Sequence, residues 1–370
     1  MDTLGRIMLF QWLLGKWLKR QTGLVGAGSS MPTASSALRG PTTAPGVKPK
    51  FTPKQWAIPP ALAGFQRREV FDLPVDQVAA LKQRVAQLPR PPQDIEQLLS
   101  EAFLQGANAE QLAEAILKHP HLAARLLALV NSPFYGLARP VSDVPSAIVY
   151  LGLDTVRAVA VQCLLEDALR PTDPDLALLF DRWWRASSLA SQWVLKLGKH
   201  VGVTDPGGLV TLAVLSFVGH MAALTLRDPK DTLRDSALDF LDRTRAEQAD
   251  LGLCAGELGC LMMAEWNMPA SIVEQVRSID RILVMPPRDL SPEQGLRISL
   301  TYYCARAAER FASGQWGDLA QAVPGELEGA EFFHLQTHFM LQPRLAQLAV
   351  DVQQAPLQQA LDDLIARTRS

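Results

Sequence analysis

Residues 119–165 read HPHLAARLLALVNSPFYGLARPVSDVPSAIVYLGLDTVRAVAVQCLL, and three apolar stretches with helical spacing lie within them. Pro120 suits the first position of the first stretch, because proline is tolerated where a helix begins. Ser142 is the predicted N-cap of the second stretch, Gly152 its C-terminal stop, and Asp154 the cap of the third. The segment therefore predicts three consecutive helices joined by short breaks.

The same helical periodicity continues on both sides of this segment. Asn108 is a predicted N-cap for the stretch NAEQLAEAILKHP, since its amide can accept a hydrogen bond from the first turn. Further helices are predicted over 176–199, 207–226, 232–251, 255–265, 269–282, 291–313, 329–341 and 357–366. Because no alternating strand pattern of useful length occurs, the predicted fold class is all-α.

Four segments differ in composition. Residues 1–20 predict an amphipathic helix, because apolar side chains share one arc of it. Residues 21–64 are a flexible linker rich in Pro, Ser, Thr and Gly, which cannot offset the entropy cost of ordering. Residues 65–285 are the predicted main helical domain, and residues 286–370 a helical extension of it.

The charge is distributed unevenly, although the whole chain has a net charge of only −2. Residues 1–60 contain eight Lys and Arg residues but only one acid, Asp2. This basic arm predicts attachment of residues 1–20 to an anionic membrane surface, which would place the protein in the cytoplasm at the periphery of the inner membrane. Two alternatives remain open: the arm is a solvated leader, or its helix packs back on the main domain.

The cysteines point to a reducing compartment. Cys163, Cys254, Cys260 and Cys304 form no CxxC pair, so they are predicted to be reduced, partly buried thiols of a cytosolic protein. Nucleic-acid binding is not expected. The pair of helices over 142–165 superficially resembles a helix-turn-helix, but its second helix is apolar almost all round, whereas a recognition helix shows polar and basic residues.

Taken together, the motifs resemble the HDOD family, a branch of the HD superfamily found in bacterial signal-transduction proteins. One matching feature is the turn formed by Asn131, Ser132, Phe134, Tyr135 and Gly136. Others are the apolar segment 147–151, the stretch LGLDTVR, and the downstream residues Gly259, Trp266, Pro269 and Ile272. The resemblance covers roughly residues 85–285 and implies an all-helical, two-lobed domain.

The resemblance also locates where HD-superfamily hydrolases hold their metal ions, through His and Asp ligands. Alignment by the surrounding apolar pattern places the first ligand position at Ala186, the His-Asp pair at Ser216 and Phe217, and the next His at Ala255. The later positions fall at Ile279-Asp280 and near Cys304. The ligands are therefore expected to be lost, with Phe217 filling the vacated centre and Asp280 surviving as a solvated helix cap.

These substitutions predict a non-catalytic regulatory scaffold that acts through contacts with another signalling protein, without enzyme activity or a cofactor. The alternatives are a metal-dependent phosphohydrolase and a module that binds a nucleotide or cyclic dinucleotide. For a binding module, the candidate ligand or partner contacts are Arg125, Arg139, Arg157, Arg185 and His220. His220 is expected to be a partly buried or rim imidazole.

One more pair is of a metal-binding type. His334 and His338 are four residues apart on one helix, one turn after Glu331, and such a pair can bind zinc. No third ligand is evident in the sequence. The competing interpretation is an amphipathic surface helix.

Overall fold

The computed structural model describes residues 57–89, 98, 108–131 and 139–369. These residues contain helices and no strand, which confirms the predicted all-α class. The helix predicted over 1–20, most of the linker, and the turn residues Ser132, Phe134, Tyr135 and Gly136 lie outside the described residues.

The helices are numbered here in chain order. The first group is α1 (Val75–Val85), α2 (Ala109–Leu117), α3 (Pro120–Val130), α4 (Val144–Leu151) and α5 (Leu153–Leu169). The second group is α6 (Pro174–His200), α7 (Pro206–Leu215), α8 (Val218–Leu226), α9 (Pro229–Asp235), α10 (Phe240–Leu251), α11 (Ala255–Glu265) and α12 (Ala270–Arg281). The last group is α13 (Pro292–Ala312), α14 (Phe333–Leu341), α15 (Pro343–Asp351) and α16 (Ala355–Arg369).

Eight of the sixteen helices named above begin after a residue whose side chain accepts a hydrogen bond from a backbone N–H of the first turn. Asn108 accepts a hydrogen bond from the backbone N–H of Gln111, as predicted. The cap of α4 is Asp143 rather than Ser142, because the Asp143 carboxylate accepts from the Ser146 N–H at 2.8 Å. Asp154 lies inside α5, one residue after its start, so it is an acidic residue of the first turn and not the cap.

Helix α6 runs through the centre of the fold, and at 27 residues it is about 40 Å long. It packs against α7, α8, α13 and α16. Trp193 in its C-terminal half is fully buried, with its ring 6.1 Å from that of Tyr303 and 5.6 Å from that of Phe311. The two aromatic partners come from α13, so this helix pair forms much of the core.

Two predicted helices are each divided. The stretch 207–226 breaks at Ser216 and Phe217 into α7 and α8, and the stretch 232–251 breaks before Asp239, which caps α10. The segment Pro206–Leu226 is the one stretch of the described part that is long and apolar enough to cross a membrane. Of its 18 most apolar consecutive residues, 94% are buried inside the protein. Such burial is typical of the core helices of a globular domain.

Two helices were not predicted from the sequence, α1 and α15. Both are short and amphipathic. Helix α1 follows Pro74, which provides no side-chain cap, and α15 follows Gln342, whose side-chain oxygen accepts from the Arg344 N–H at 2.9 Å. The second helix of the apparent helix-turn-helix, α5, is largely buried, as its apolar composition predicts. The predicted boundary between residues 285 and 286 stays a prediction.

The segment before α1 is fixed to the main domain by a closed ring of ion pairs. Arg67 pairs with Glu69 at 3.1 Å and with the fully buried Glu257 at 3.2 Å. The ring is completed by Arg277, Glu274 and Arg281, which returns to Glu69 at 2.6 Å. It therefore joins residues 67–69 to both α11 and α12.

Candidate functional site

The break between α7 and α8 directs Phe217 into a buried aromatic cluster. Its ring lies 6.3 Å from that of Trp183 and 6.0 Å from that of His220. The imidazole of His220 stacks on Trp183 at 4.7 Å, with an angle of 18° between the planes, and meets Phe240 edge-on at 6.3 Å. Phe217 is fully buried, so apolar and aromatic volume occupies this part of the core.

Three further predicted ligand positions, Ala186, Ser216 and Ala255, are also buried, and none carries a good metal donor. Ala186 lies one turn after Trp183 on α6, and Ala255 begins α11; neither is exposed to solvent. Ser216 has a hydroxyl, but the hydroxyl donates back to the carbonyl oxygen of Ala213 at 2.8 Å. In the described ranges of the chain, no group of three or more His, Cys, Asp or Glu side chains could hold a metal ion.

Helices α8 and α11 approach each other closely beside the cluster. The approach is possible because Gly219 has no side chain: a Cβ there would lie 1.7 Å from the Ala255 carbonyl oxygen and 2.6 Å from the Gly259 nitrogen. The two glycines face one another, since a Cβ on Gly259 would lie 2.8 Å from the Gly219 nitrogen. This contact brings Ala255 next to the helix that carries His220.

Buried charged side chains lie against the rings of the aromatic cluster. Arg243 forms an ion pair with Glu309 and lies 3.7 Å from the carboxylate of Glu247. Its guanidinium sits 4.8 Å above the ring of Trp183. Arg306 lies 3.8 Å above the ring of Phe240 and pairs with Glu309 at 2.8 Å. The centre therefore contains two guanidinium cations, each in contact with both a carboxylate and an aromatic face.

The pKa values of these groups follow from their surroundings. Burial would raise the pKa of Glu309, but Arg243 and Arg306 outweigh it and hold the pKa at about 2. Burial raises the pKa of Glu247, in spite of Arg243 and of a hydrogen bond of 2.7 Å from the Ala255 N–H. Glu309 is thus the firmly ionised partner of both arginines.

His220 is fully buried and neither ring nitrogen has a hydrogen-bond partner, which corrects the expectation of a rim imidazole. Burial and the nearby charges of Arg243 and Arg306 lower its pKa well below the usual 6.5. The imidazole is therefore neutral in the folded protein and acts as a flat aromatic ring between Trp183 and Phe240.

This environment predicts a specific pH dependence for His220. The unfolded chain takes up a proton on His220 below about pH 6.5, whereas the folded chain does not. Protonation therefore favours the unfolded state, and the free energy of unfolding falls as the pH falls. Replacing His220 with Phe removes that loss and also two unpaired polar atoms. Between pH 7.5 and 5.5, the wild type is expected to lose about 1.4 kcal/mol more unfolding free energy than His220→Phe.

Urea denaturation of both proteins at each pH measures this difference. Other titrating groups, including the buried His334 and His338, are common to both proteins and cancel in the comparison. Equal losses in the two proteins would mean that the folded state accommodates a protonated His220.

The remaining aligned positions differ from expectation in one respect. Asp280 is buried, with one carboxylate oxygen lacking a hydrogen-bond partner, so it is not a solvated cap. The carboxylate packs on Gly256, where a Cβ would lie only 2.0 Å from its oxygen. Ile279 and Cys304 are buried in the core.

His334 and His338 are also buried, so the interpretation of their helix as a surface helix is wrong. The Nε2 of His338 lies 3.1 Å from the Met285 carbonyl oxygen, which ties α14 to the segment after α12. Glu331 forms an ion pair with Arg310 instead of joining the two histidines.

The candidate arginines do not form a single site. Arg125 pairs with Glu166 near the end of α5, while Arg157 pairs with Asp154 at 2.6 Å near its start, about 13 Å away along the helix. Arg139 and Arg185 are exposed. Of the four, only Arg157 is buried, and it lines a groove together with Arg297.

The one described residue of the family turn has a clear structural contact. The amide of Asn131 donates to the Val141 carbonyl oxygen at 2.8 Å and accepts from the Val141 N–H at 2.7 Å. This pair of hydrogen bonds fixes the end of α3 beside the start of the segment that leads to α4.

Sequence reasoning missed the buried charges Arg243, Glu247, Arg306 and Glu309. A signal was present: Arg306 and Glu309 are three residues apart in YYCARAAERF, an otherwise apolar helix segment. Charged residues in an apolar helix need an oppositely charged partner when they are buried. A residue of opposite sign three positions away provides part of this pairing.

Comparison with known proteins agrees with this architecture. The HDOD domain family matches residues 88–282, more than half of the chain. Among solved structures, an HDOD domain protein of unknown function from Geobacter sulfurreducens is 18% identical, with a TM-score of 0.55 over 79% of this chain and 99% of that chain. A candidate phosphohydrolase from Shewanella amazonensis is 21% identical, with a TM-score of 0.52 over 79% of this chain and 98% of that chain.

At these identities the structural likeness shows the fold alone. No curated protein matches the chain. The family match, together with the helical architecture, identifies the chain as a member of the HDOD family.

Proposed function

We propose that this chain is a regulatory HDOD protein without hydrolase activity, which acts in signal transduction by binding another protein. The observation that carries the proposal is the complete burial of Phe217, packed against Trp183 and His220. The apolar sequence pattern aligns this residue with the metal-binding Asp of HD-superfamily hydrolases. A phenyl ring has no donor atom for a metal ion.

The donor set around Phe217 does not fit a metal ion. Ala186 and Ala255 lack donor atoms, and the hydroxyl of Ser216 is engaged with its own helix. Divalent metals in such sites take His nitrogens and carboxylate oxygens. A lining of this kind would not hold a catalytic metal ion.

The charges nearby also oppose a divalent cation. Arg243 and Arg306 place two positive charges beside the cluster, and Glu309 is already paired with both. A dication in this low-dielectric region would be repelled by the guanidiniums, and its carboxylate partners are taken.

A surface for protein contacts is available on the family domain. Val149 and Tyr150 are adjacent on α4, and their side chains are 81% and 64% exposed. Both belong to a mostly apolar helix. Exposed apolar side chains of this size suit the centre of a protein interface, where aromatic residues are enriched.

The first test of the proposal is metal content and hydrolysis. The full chain, expressed with added iron and manganese, is expected to contain far less than one equivalent of Fe, Mn or Zn by elemental analysis. It is also expected not to hydrolyse bis-(p-nitrophenyl) phosphate or cyclic dinucleotides above the buffer rate. About one or two bound equivalents together with turnover would establish the phosphohydrolase alternative instead.

The second test concerns the contact surface. Tyr150→Glu is expected to abolish the recovery of specific partners by affinity capture while the thermal midpoint stays unchanged, because the side chain is exposed. Leu178→Glu, at another exposed apolar position on α6, is the matched control and should retain the partners. Equal recovery with Tyr150→Glu and the wild type would exclude α4 as the contact surface.

A further inference from the structure

A groove of about 320 Å³ lies where four helices meet, away from the aromatic cluster. Its walls are the start of α5, the start of α7, the first turns of α12 and the first turns of α13. This volume is at the lower end of the range for small-molecule sites. Apolar side chains of Leu212 and Ile272 and the hydroxyls of Thr211 and Ser271 contribute to its lining.

Two arginines and two aspartates also line the groove. Arg157 and Arg297 supply the positive charges, and Asp154 and Asp205 the negative ones. The groove is thus neutral in sum but presents both signs of charge. A ligand that carries charge of only one sign would leave either the two arginines or the two aspartates without an oppositely charged group on the ligand.

Arg157 is only partly satisfied by the protein. Its side chain is buried to 4% exposure, one nitrogen pairs with Asp154, and its Nε has no partner. Burial lowers the pKa of Arg157 in spite of Asp154 and Asp205. By contrast, hydrogen bonds to two aspartates raise the pKa of the buried Arg227, although burial opposes this. The comparison indicates that Arg157 lacks part of its counter-charge.

The other charged groups have spare hydrogen-bonding capacity as well. Arg297 donates to the Asp205 carbonyl oxygen at 3.3 Å, and its nearest carboxylate oxygen, also of Asp205, is 4.0 Å away. One oxygen of Asp205 caps α7 through the Gly208 N–H, which leaves its second oxygen for another donor. Asp154 and Asp205 are about half exposed, so a ligand can reach them.

We infer that this groove binds a small zwitterion with a carboxylate and an ammonium group, that is, an amino acid or a short peptide. The guanidiniums of Arg157 and Arg297 would take the carboxylate, because arginine recognises carboxylates through paired hydrogen bonds. The carboxylates of Asp154 and Asp205 would take the ammonium group. The apolar floor at Leu212 and Ile272 would contact the side chain of the ligand.

The groove shares no lining residue with the aromatic cluster around Phe217. It gives the protein a means of sensing: α5, α7 and α12 lie within the family match, whereas α13 lies beyond it. A ligand that contacts α13 as well as α5, α7 and α12 would hold the family domain and the helix beyond it together more tightly.

Titration calorimetry on the full chain tests the inference, with pools of the common L-amino acids as probes. At least one amino acid is expected to bind with a dissociation constant below about 1 mM. Its N-acetyl form, which lacks the ammonium group, and its amide, which lacks the carboxylate, should each bind about tenfold more weakly or worse. Inorganic phosphate and GMP are tested in parallel.

Two variants separate the groove from the rest of the surface. Arg297→Gln should weaken binding of the same amino acid by about tenfold or more, and it avoids the risk that a change at the buried Arg157 prevents folding. Arg344→Gln removes an arginine that pairs with Glu293 outside the groove lining and should leave the affinity unchanged. The inference is overturned if no pool binds, if only phosphate or GMP binds, or if Arg297→Gln binds like the wild type.

Discussion

Replacement of Phe217 with Asp is expected to destabilise the protein by about 5 kcal/mol or more, the largest effect foreseen for a single substitution. Loss of a buried phenyl ring alone costs about 3–5 kcal/mol. The new carboxylate would lie among Trp183, His220 and apolar groups. The guanidinium above the Trp183 ring, that of Arg243, is already paired with Glu309. Because domains are stable by only about 5–15 kcal/mol, a loss of this size leaves the folded state marginally stable at 25 °C.

Chemical denaturation of the wild type and the variant measures the loss. Phe217→Leu is the matched control: it keeps an apolar side chain in the same space and should cost no more than about 1.5 kcal/mol. A denaturation midpoint that Phe217→Asp leaves unchanged would show that the ring is not buried, and it would remove the main support for a vacated metal centre.

Gly219→Ala is the second large effect, and it acts through the backbone. The added methyl group would lie 1.7 Å from the Ala255 carbonyl oxygen and 2.6 Å from the Gly259 nitrogen. Neither atom belongs to a side chain that could rotate away, so α8 and α11 would have to separate. We expect a loss of about 3 kcal/mol, at the upper end of the cost of overpacking.

Gly295→Ala provides the control for this substitution. Gly295 also lies within a helix, α13, but its nearest neighbours would be 3.8 Å from the added methyl group. Alanine there should be neutral or stabilise by up to about 1 kcal/mol, because it favours the helical backbone. If thermal or chemical denaturation gives the same midpoint shift for both substitutions, the close approach of α8 and α11 is not the reason why residue 219 must be a glycine.

The sequence by itself determined the helical class and the positions of most helices, including α6, α11 and α13, within a few residues. It also pointed to the HDOD family through residues 119–165 and the segment that contains Trp266 and Pro269. These properties depend on local spacing, since helix periodicity and capping act over only a few residues. The identity of the side chains at Ala186, Phe217 and Ala255 was likewise readable without a structure.

Only the tertiary structure decided the surroundings of the polar groups. His220 was expected to be partly buried or at a rim, and Asp280 to be a solvated cap. His334 was expected either to bind zinc with His338 or to lie on a surface helix. All three side chains are buried. The pairing of Arg243 with Glu309 joins residues 66 positions apart, and the groove brings Arg157 together with Arg297. Periodicity shows which face of a helix is apolar, but not which distant helix covers the polar residues beside it. Whether a charge is paired, buried or left with spare hydrogen-bonding groups depends on that covering helix, and therefore on packing between segments far apart in the chain.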